Sequence, residues 1–443
     1  MNYVDSLHQV GDNASQIESL FRSAQRSGET SKFAQAVDTL YQQTPQNLLY
    51  AAWHYRFVED EPALAPPSDF TATRTIWQTA LILSVINGLL FWLLSDMQRV
   101  TVLDKVPLLA IVWAPIYAVI LMAFLVFAGG RSLSRWLALG AGLAVAAAYP
   151  IGTAWWRQAL RMEDPVSILL LIHLTALALY TTGFFVLWEE RSSLARFAAL
   201  NKAIETVITA GIFLAAGVLF TGVSYALFQA LGIDPPDWVM HLFVAGGVGL
   251  VPVLAVAAVY RPDLPPQAQS FTQGLSRLIA LVLRILLPLA LVVAVVYVVL
   301  IPFNFMRPFE NRETLIVYNV MLFAVLGLIV GATPVHEEDV PAALRSWLRR
   351  GLLTLAALAL LVAVYAMAAV LYRTWSDGIT PNRFAVIGWN LVNIALLVQL
   401  LYREWRSDAS EWLATVHATV NTGLNWYVVW TVVLMIALPL LFH

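Results

Sequence analysis

The sequence contains no cysteine, which excludes disulfide bonds, iron–sulfur clusters, thiolate zinc sites and cysteine nucleophiles. Charged residues are scarce as well. Asp, Glu, Lys and Arg make up 12% of the 443 residues, against about 25% in an average soluble domain. The net charge of −2 gives no electrostatic reason to expect nucleic acid as a partner. These shortages exclude an ordinary soluble enzyme and argue against a nucleic-acid-binding protein.

Apolar residues take the place of the missing charges: they make up 60% of the sequence, whose mean hydropathy is +0.72. From Ile76 onward, apolar stretches of about 20 residues follow one another, each long enough to cross a ~30 Å hydrocarbon core. We therefore predict an all-α, polytopic helical membrane protein with about 11 transmembrane helices in a bundle over residues 71–443, embedded in a lipid bilayer. The predicted spans lie near 76–94, 106–128, 133–156, 166–188, 204–231, 238–260, 278–301, 315–332, 351–372, 383–402 and 424–442.

Lysine and arginine are unevenly distributed over the loops between these spans. If the N-terminus is cytoplasmic, the loops on the cytoplasmic side carry more of these residues than the loops on the opposite side. This is the bias that the positive-inside rule describes. We therefore expect a cytoplasmic N-terminus, and an odd number of spans then leaves the C-terminus outside.

Residues 1–70 precede the first span and are rich in acidic side chains. Apolar residues recur at helical spacing from Ile17 to Ala24 and again from Phe33 to Tyr41, with Ser31 as the expected N-cap of the second helix. A third helix is expected over residues 47–57, followed by a stiff, proline-rich linker. The sequence thus predicts a small soluble helical cap on the cytoplasmic side.

The pattern F-x-x-A-V-x-x-L-Y-x-x-x-P-x-N over residues 33–47 resembles the second helix and turn of a tetratricopeptide repeat. A repeat array needs about three units to bury a continuous face, and barely one is present. Two interpretations stay open. Residues 1–70 are either a docking module for a protein partner or a simple helical cap.

Ionisable residues at membrane depth are costly and therefore invite functional hypotheses. Arg284 lies about two turns into the seventh span, where it could bind an anionic group, pair with Glu205, or extend its side chain to the interface. His173 and His241 lie in the fourth and sixth spans. Each is a candidate haem or chlorin ligand, a proton relay, or a hydrogen-bonding link between helices.

A stripe of polar residues marks the C-terminal spans. His417, Asn421 and Asn425 follow one another at a spacing of four residues and share a helical face. Because amides in lipid must find partners, we expect the polar groups of this half to face one another or a wet cavity. The candidate residues of a ligand site or transport path are Arg284, Asn319, Asn390, Asn393, His417 and Asn421.

Signatures of catalysis are missing from the sequence. It shows no phosphate-binding glycine loop, no nucleophile elbow and no paired intramembrane carboxylates. The run His336-Glu-Glu-Asp339 lacks the spacing of a metal site, so we interpret it as a solvated loop. The basic, amphipathic segment 340–350 predicts an interfacial helix. We expect no metal, no cofactor and no catalytic residue, which leans away from an enzyme.

The segment 372–384 reads Y-R-T-W-S-D-G-I-T-P-N-R-F and leads into the tenth span. It resembles the Y-G-[L/I]-T-x-x-R signature of the bacterial multi-pass membrane family known as domain of unknown function four-one-five-three, or a close relative of it, with Asp377 where that pattern has Tyr. The resemblance extends over roughly residues 200–405. It implies a bacterial inner (cytoplasmic) membrane protein and supplies no activity.

Independently of any family, Asp377-Gly378 is typical of a turn, and Thr380 and Pro381 are typical of a helix start. We expect a tight surface hairpin formed with Arg373, Thr380 and Arg383. These three residues either anchor the hairpin at headgroup level or contact a ligand.

Three function classes remain. The first is a non-enzymatic sensing or scaffolding module that docks a protein partner through residues 1–70. The second is a transporter or permease with a polar path in the C-terminal half. The third is an enzyme that acts on lipid or lipid-linked substrates, for which the sequence shows no catalytic acid, base or metal site. Outside these three classes, a cofactor-bearing or accessory subunit of a larger membrane complex is a lesser alternative.

Overall fold

The computed structural model describes residues 3–10, 13–26, 29–44, 46–59, 70–96, 100–102, 106–157 and 163–442. The chain divides into two compact units, Met1–Arg74 and Thr75–His443. The predicted proline-rich linker, residues 60–69, lies outside the described residues.

The described residues are helical almost throughout, and they include one short antiparallel strand pair, β1 (Thr101–Val102) and β2 (Val106–Pro107), between α5 and α6. In chain order the helices are α1 (Tyr3–Val10), α2 (Ala14–Arg26), α3 (Thr30–Gln43), α4 (Leu48–Glu59), α5 (Phe70–Leu94), α6 (Leu108–Gly129), α7 (Leu133–Arg157), α8 (Pro165–Val186), α9 (Ser193–Ala230), α10 (Asp237–His241), α11 (Gly247–Val259), α12 (Gly274–Leu300), α13 (Arg307–Glu310), α14 (Arg312–Ala332), α15 (Ala342–Asp377), α16 (Pro381–Arg406) and α17 (Trp412–Leu441).

The first unit packs α1–α4 around a hydrophobic core of its own. Ile17, Phe33 and Leu40, all placed on apolar faces by their spacing, are fully buried in this core. The expected N-cap is wrong: α3 begins after Glu29, so Ser31 lies inside the helix. The short helix α1 is an addition to the three expected helices.

Glu29 ties the start of α3 to α1. The Tyr3 hydroxyl donates to Glu29 Oε2 at 3.1 Å, and the Lys32 ammonium donates to Oε1 at 2.7 Å. Because these bonds favour the charged carboxylate, first the Lys32 bond and then the Tyr3 bond hold the pKa of Glu29 below its ordinary value.

In the second unit, the described residues form eleven helices that are long and apolar enough to cross a membrane. The predicted fold class, an all-α polytopic membrane protein, is therefore confirmed. Three helices begin well before the expected boundaries: α9 at Ser193, α15 at Ala342 and α17 at Trp412. Hydropathy marks only the apolar part of a helix, whereas backbone hydrogen bonding continues into its polar turns. For the same reason the separate interfacial helix predicted at 340–350 is wrong, since these residues lead into and form the first turns of α15.

Successive spans cross in opposite directions, so their loops alternate between two faces. We call the side with the loops after α6, α8, α11, α14 and α16 the first face, and the opposite side the second face. The Arg131 guanidinium, after α6, donates to the Val186 carbonyl oxygen at the end of α8 at 2.7 Å and contacts the Tyr260 hydroxyl after α11 at 3.5 Å. The first-face ends of α6, α8 and α11 are thus bonded to one another.

Apolar side chains form one core among α5–α8 and α11, and another among α12, α14–α17 and the first half of α9. A third core joins α6–α8 to α16 and α17. In α9 and α12 only 6% of the most apolar stretch is buried. These two helices therefore present most of their apolar surface to lipid.

Glycines bring α5 and α11 into close contact. A Cβ on Gly249 would lie 2.7 Å from the Gly88 Cα, and one on Gly88 would lie 2.9 Å from the Gly246 carbonyl oxygen. The Asn87 amide also donates to the Gly249 carbonyl oxygen at 2.6 Å. Small residues and an interhelical amide bond are common means of joining helices in lipid.

Candidate functional site

Polar side chains meet in the middle of α8, α16 and α17. His173 lies about 12 Å along α8, and Asn390 about 14 Å along α16, at 1.5 Å per residue. Asn390 and Asn393 share a buried face of α16. We call His173, Trp389, Asn390, Asn393 and Tyr427 the deep polar cluster.

His173 is fixed by bonds at both ring nitrogens. Its Nδ1 donates to the Leu169 carbonyl oxygen at 2.6 Å, and its Nε2 accepts from the Trp389 indole N–H at 3.1 Å. The imidazole and the indole also lie nearly parallel, with ring centroids 5.8 Å apart. This pattern requires a neutral imidazole with its proton on Nδ1, and it leaves neither nitrogen free to ligate a metal or haem.

Tyr427 links α17 to the same cluster. Its hydroxyl donates to Asn393 Oδ1, and its ring stacks on Trp389 with centroids 5.5 Å apart. Close helix packing permits these contacts, because a Cβ on Gly388 would lie 1.8 Å from Cζ2 of Trp430. Only glycine leaves room for that indole against α16.

Two amides of the cluster have atoms without partners. Neither Nδ2 nor Oδ1 of Asn390 has a hydrogen-bond partner among the described residues, although the side chain is 0% exposed. Nδ2 of Asn393 is likewise unpartnered. Leaving such a group unsatisfied in the protein interior costs about 1–3 kcal/mol. The deep polar cluster therefore offers donors and an acceptor to a polar molecule, and no ionised side chain takes part in its hydrogen bonds and ring contacts among the described residues.

A second polar region lies near the first face, where α9 meets α12. The Lys202 ammonium donates to Glu205 Oε2 at 2.8 Å, to Ser276 Oγ at 2.9 Å and to the Ser270 carbonyl oxygen at 2.6 Å. Phe271 covers it, with Nζ 4.4 Å from the ring centroid. All three ammonium protons are used in bonds to the protein, so this buried ion pair has the structural role of holding α9 against α12.

Arg284 does not form the pairing with Glu205 that was one of its expected alternatives, because Glu205 binds Lys202. Its guanidinium reaches toward the first face, where Nη1 lies 3.5 Å from the Asp339 carbonyl oxygen, and its Nε has no hydrogen-bond partner within the part of the chain that the structure describes. The cavity beside it measures about 10 Å³ and is lined by Asn201, Glu205 and Asp339, among others. Such a cavity has room for about one water molecule.

The remaining path candidates lie elsewhere. Asn319 donates to the Leu315 carbonyl oxygen of its own helix at 2.8 Å. His417 packs on the Phe197 ring, with centroids 4.1 Å apart, about 15 Å along α17 from Tyr427. Asn421 follows His417 on α17, and its Oδ1 has no partner among the residues that the structure describes. The six candidates thus do not form one site. Two lie in the deep polar cluster, one lies near the first face, one bonds within its own helix, and the other two lie on α17 away from the cluster.

The surface hairpin forms at the second face. Thr380 accepts a bond from the Arg383 backbone N–H at 3.3 Å and caps α16, whose first residue is Pro381. The Arg383 guanidinium donates to Asp377 Oδ2 and to the Gly378 carbonyl oxygen, each at 2.7 Å. None of these bonds involves Arg373. Arg383 is thus committed to closing the turn.

Within the described part of the chain, no group of three or more His, Asp or Glu residues is arranged to hold a metal ion. His241, the other histidine considered as a cofactor ligand, is exposed at the end of α10.

The chain matches no family model, no curated protein and no solved structure in comparisons with known proteins. The family resemblance of residues 372–384 therefore stays a prediction, and function must be argued from the residues themselves.

Sequence reasoning missed Trp389, Tyr427 and Lys202. Aromatic residues at mid-span resemble ordinary packing. Trp389 could have been found by its position four residues before Asn393 on the same helix, whereas the sequence carries no signal for Tyr427, which lies on another helix. The signal for Lys202 was its position three residues before Glu205, which puts both on one helical face.

Proposed function

We propose that this protein is a non-enzymatic sensing module of a bacterial inner membrane. In this proposal the deep polar cluster binds a small polar solute, and residues 1–70 dock a protein partner on the cytoplasmic side. One observation carries the proposal: the side chain of Asn390 is fully buried at membrane depth with both polar atoms unpartnered. A group that costly is typical of a functional position.

The chemistry of the cluster supports a neutral solute. Asn390 offers both a donor and an acceptor, and Asn393 adds a second donor. His173 and Tyr427 use their polar atoms on protein partners. Because no counter-charge lies among these contacts, an ion would lose its hydration without compensation. A small amide or alcohol is the chemical class that fits.

The test is stabilisation of the purified protein by a panel of small amides, alcohols and matched ions. We expect at least one neutral solute to raise the melting temperature of the wild type, because binding to the folded state alone stabilises it. Asn390→Leu should abolish this shift. Asn319→Leu is the matched control, since its amide bonds only its own helix, and it should retain the shift. Equal responses of both variants would contradict the proposal.

The orientation rests on the distribution of basic residues. The first-face loops contain Arg131, Arg191 and Arg261, among others, so we assign the first face and the N-terminus to the cytoplasm. The docking surface includes Leu48, an apolar side chain that is 86% exposed. We expect Leu48→Asp to release a partner that co-purifies in a fixed ratio after mild detergent extraction. Ser19→Asp, another exposed position of this unit, should not release it.

A transporter is the second candidate function. It is favoured by the span formed by α10 and α11, which is interrupted by a π-helical segment, Leu242–Gly246, and by Pro252. Interrupted helices line the binding sites of many transporters. Solute counterflow in proteoliposomes that disappears in Asn390→Leu would favour transport over sensing, whereas solute binding without counterflow would favour sensing.

A further inference from the structure

A large apolar cavity opens between α6, α9 and α11, and its wall contains no residue of the deep polar cluster. Its volume is about 520 Å³, within the usual range of about 300–1,000 Å³ for small-molecule sites. The wall residues include Phe91, Trp113, Leu214 and Pro252. Because a cavity of this kind stays dry, it takes apolar occupants.

One backbone carbonyl beside the cavity loses its usual helical donor and is satisfied by a side chain instead. Pro252 has no backbone N–H, so it cannot bond the carbonyl of Val248 four residues earlier. The Tyr117 hydroxyl donates to that carbonyl oxygen at 3.0 Å instead. Phe91 stacks on the Tyr117 ring, with centroids 4.6 Å apart, and holds it in place. This carbonyl and the Tyr117 hydroxyl are therefore already paired with each other and are not free for a polar ligand.

The cavity is continuous with the surface that faces lipid. Three of its wall residues, Trp113, Leu214 and Val248, are each more than a third exposed. α9 contributes one wall and is one of the two helices that present most of their apolar surface to lipid. The occupant can therefore enter sideways from the bilayer.

The occupant that meets these conditions is the acyl chain of a membrane lipid, because it is apolar along its whole length and surrounds the exposed wall of the cavity in the bilayer. We propose that this cavity holds one acyl chain of a bilayer lipid, bound beside α11 as a stable component of the folded protein.

Photo-crosslinking of the wild-type protein tests this proposal directly. The probe is a phosphatidylcholine with a diazirine at the middle of one acyl chain, reconstituted with the full-length protein in liposomes. We expect the label to concentrate on α6 and α11 peptides that contain the cavity wall. Uniform labelling of all lipid-facing helices, in proportion to their exposure, would overturn the proposal.

Filled variants provide the second arm of the test. Ala110→Phe and Ala245→Phe each place a ring in the cavity from a different wall, and labelling should fall to the level given by bulk lipid. Ala215→Phe is the matched control on an exposed position of α9 outside the cavity wall, and it should label as the wild type does. Filled variants that fold, by circular dichroism, and still label as the wild type does would also overturn the proposal. If a filled variant fails to fold, the wild-type map decides alone.

Discussion

Replacing Asn390 by leucine is expected to stabilise the protein. Leucine has nearly the shape of asparagine but no polar atoms, and both polar atoms of Asn390 lack partners in a fully buried position. The substitution therefore removes a desolvation cost of about 1–3 kcal/mol without breaking a bond. Unfolding of the purified protein in detergent, followed by circular dichroism and without added solute, measures this difference. Saturation with a bound solute should narrow the gap, because the solute would satisfy the same atoms in the wild type.

Asn393→Leu is the matched control three residues away on the same helix. It removes the acceptor of the Tyr427 hydroxyl, at a cost of about 1–3 kcal/mol, together with its own unpartnered Nδ2. Asn393→Leu is thus expected to be less stable than Asn390→Leu. A loss of stability in Asn390→Leu as large as that in Asn393→Leu would refute the reasoning, because it would mean that the Asn390 amide is hydrogen bonded.

Three further predictions concern other parts of the molecule. Lys202→Met leaves the Glu205 carboxylate on α9 buried without a counter-charge, so the free energy of unfolding should fall by about 3–5 kcal/mol. An unchanged free energy of unfolding would contradict a structural role for this ion pair. Gly388→Ala drives a methyl group into the Trp430 ring and should lower the melting temperature, whereas Gly142→Ala, with nothing within 4 Å, should leave it unchanged or raise it. Because the pKa of Glu29 is lowered on folding, its stabilisation is present above its ordinary value of 4.5 and is lost as the pH falls through the folded pKa. Amide protection factors at the start of α3 should fall over that range in the wild type and stay level in Glu29→Gln.

Much of the fold could be predicted from the sequence, because a bilayer imposes a strict length and polarity on every span. The predicted ends of the span formed by α7, at 133 and 156, differ little from those of the helix, Leu133–Arg157. The start of α17 was misjudged by twelve residues, since its first turns carry polar side chains that helical hydrogen bonds tolerate and a hydropathy count rejects.

The candidate site was less accessible to prediction. Periodicity placed Asn390 and Asn393 on one face of their helix, and the structure buries both. It could not show which helix that face meets, because contacts between α8 and α16 join residues more than 200 positions apart: Trp389 and His173 are separated by 216. His417 is also polar, but it lies at a different depth along α17 from the deep polar cluster, and the sequence composition does not show this depth.

The contact between α5 and α11 has a consequence for biogenesis. The Asn87 amide receives its acceptor from a residue 162 positions later, so α5 leaves the ribosome well before its partner exists. At about 5–20 residues per second, that interval lasts on the order of ten to thirty seconds. During this interval the polar amide and the glycine surface of α5 must be shielded from other helices. We expect the insertion machinery to hold this span until α11 is synthesised.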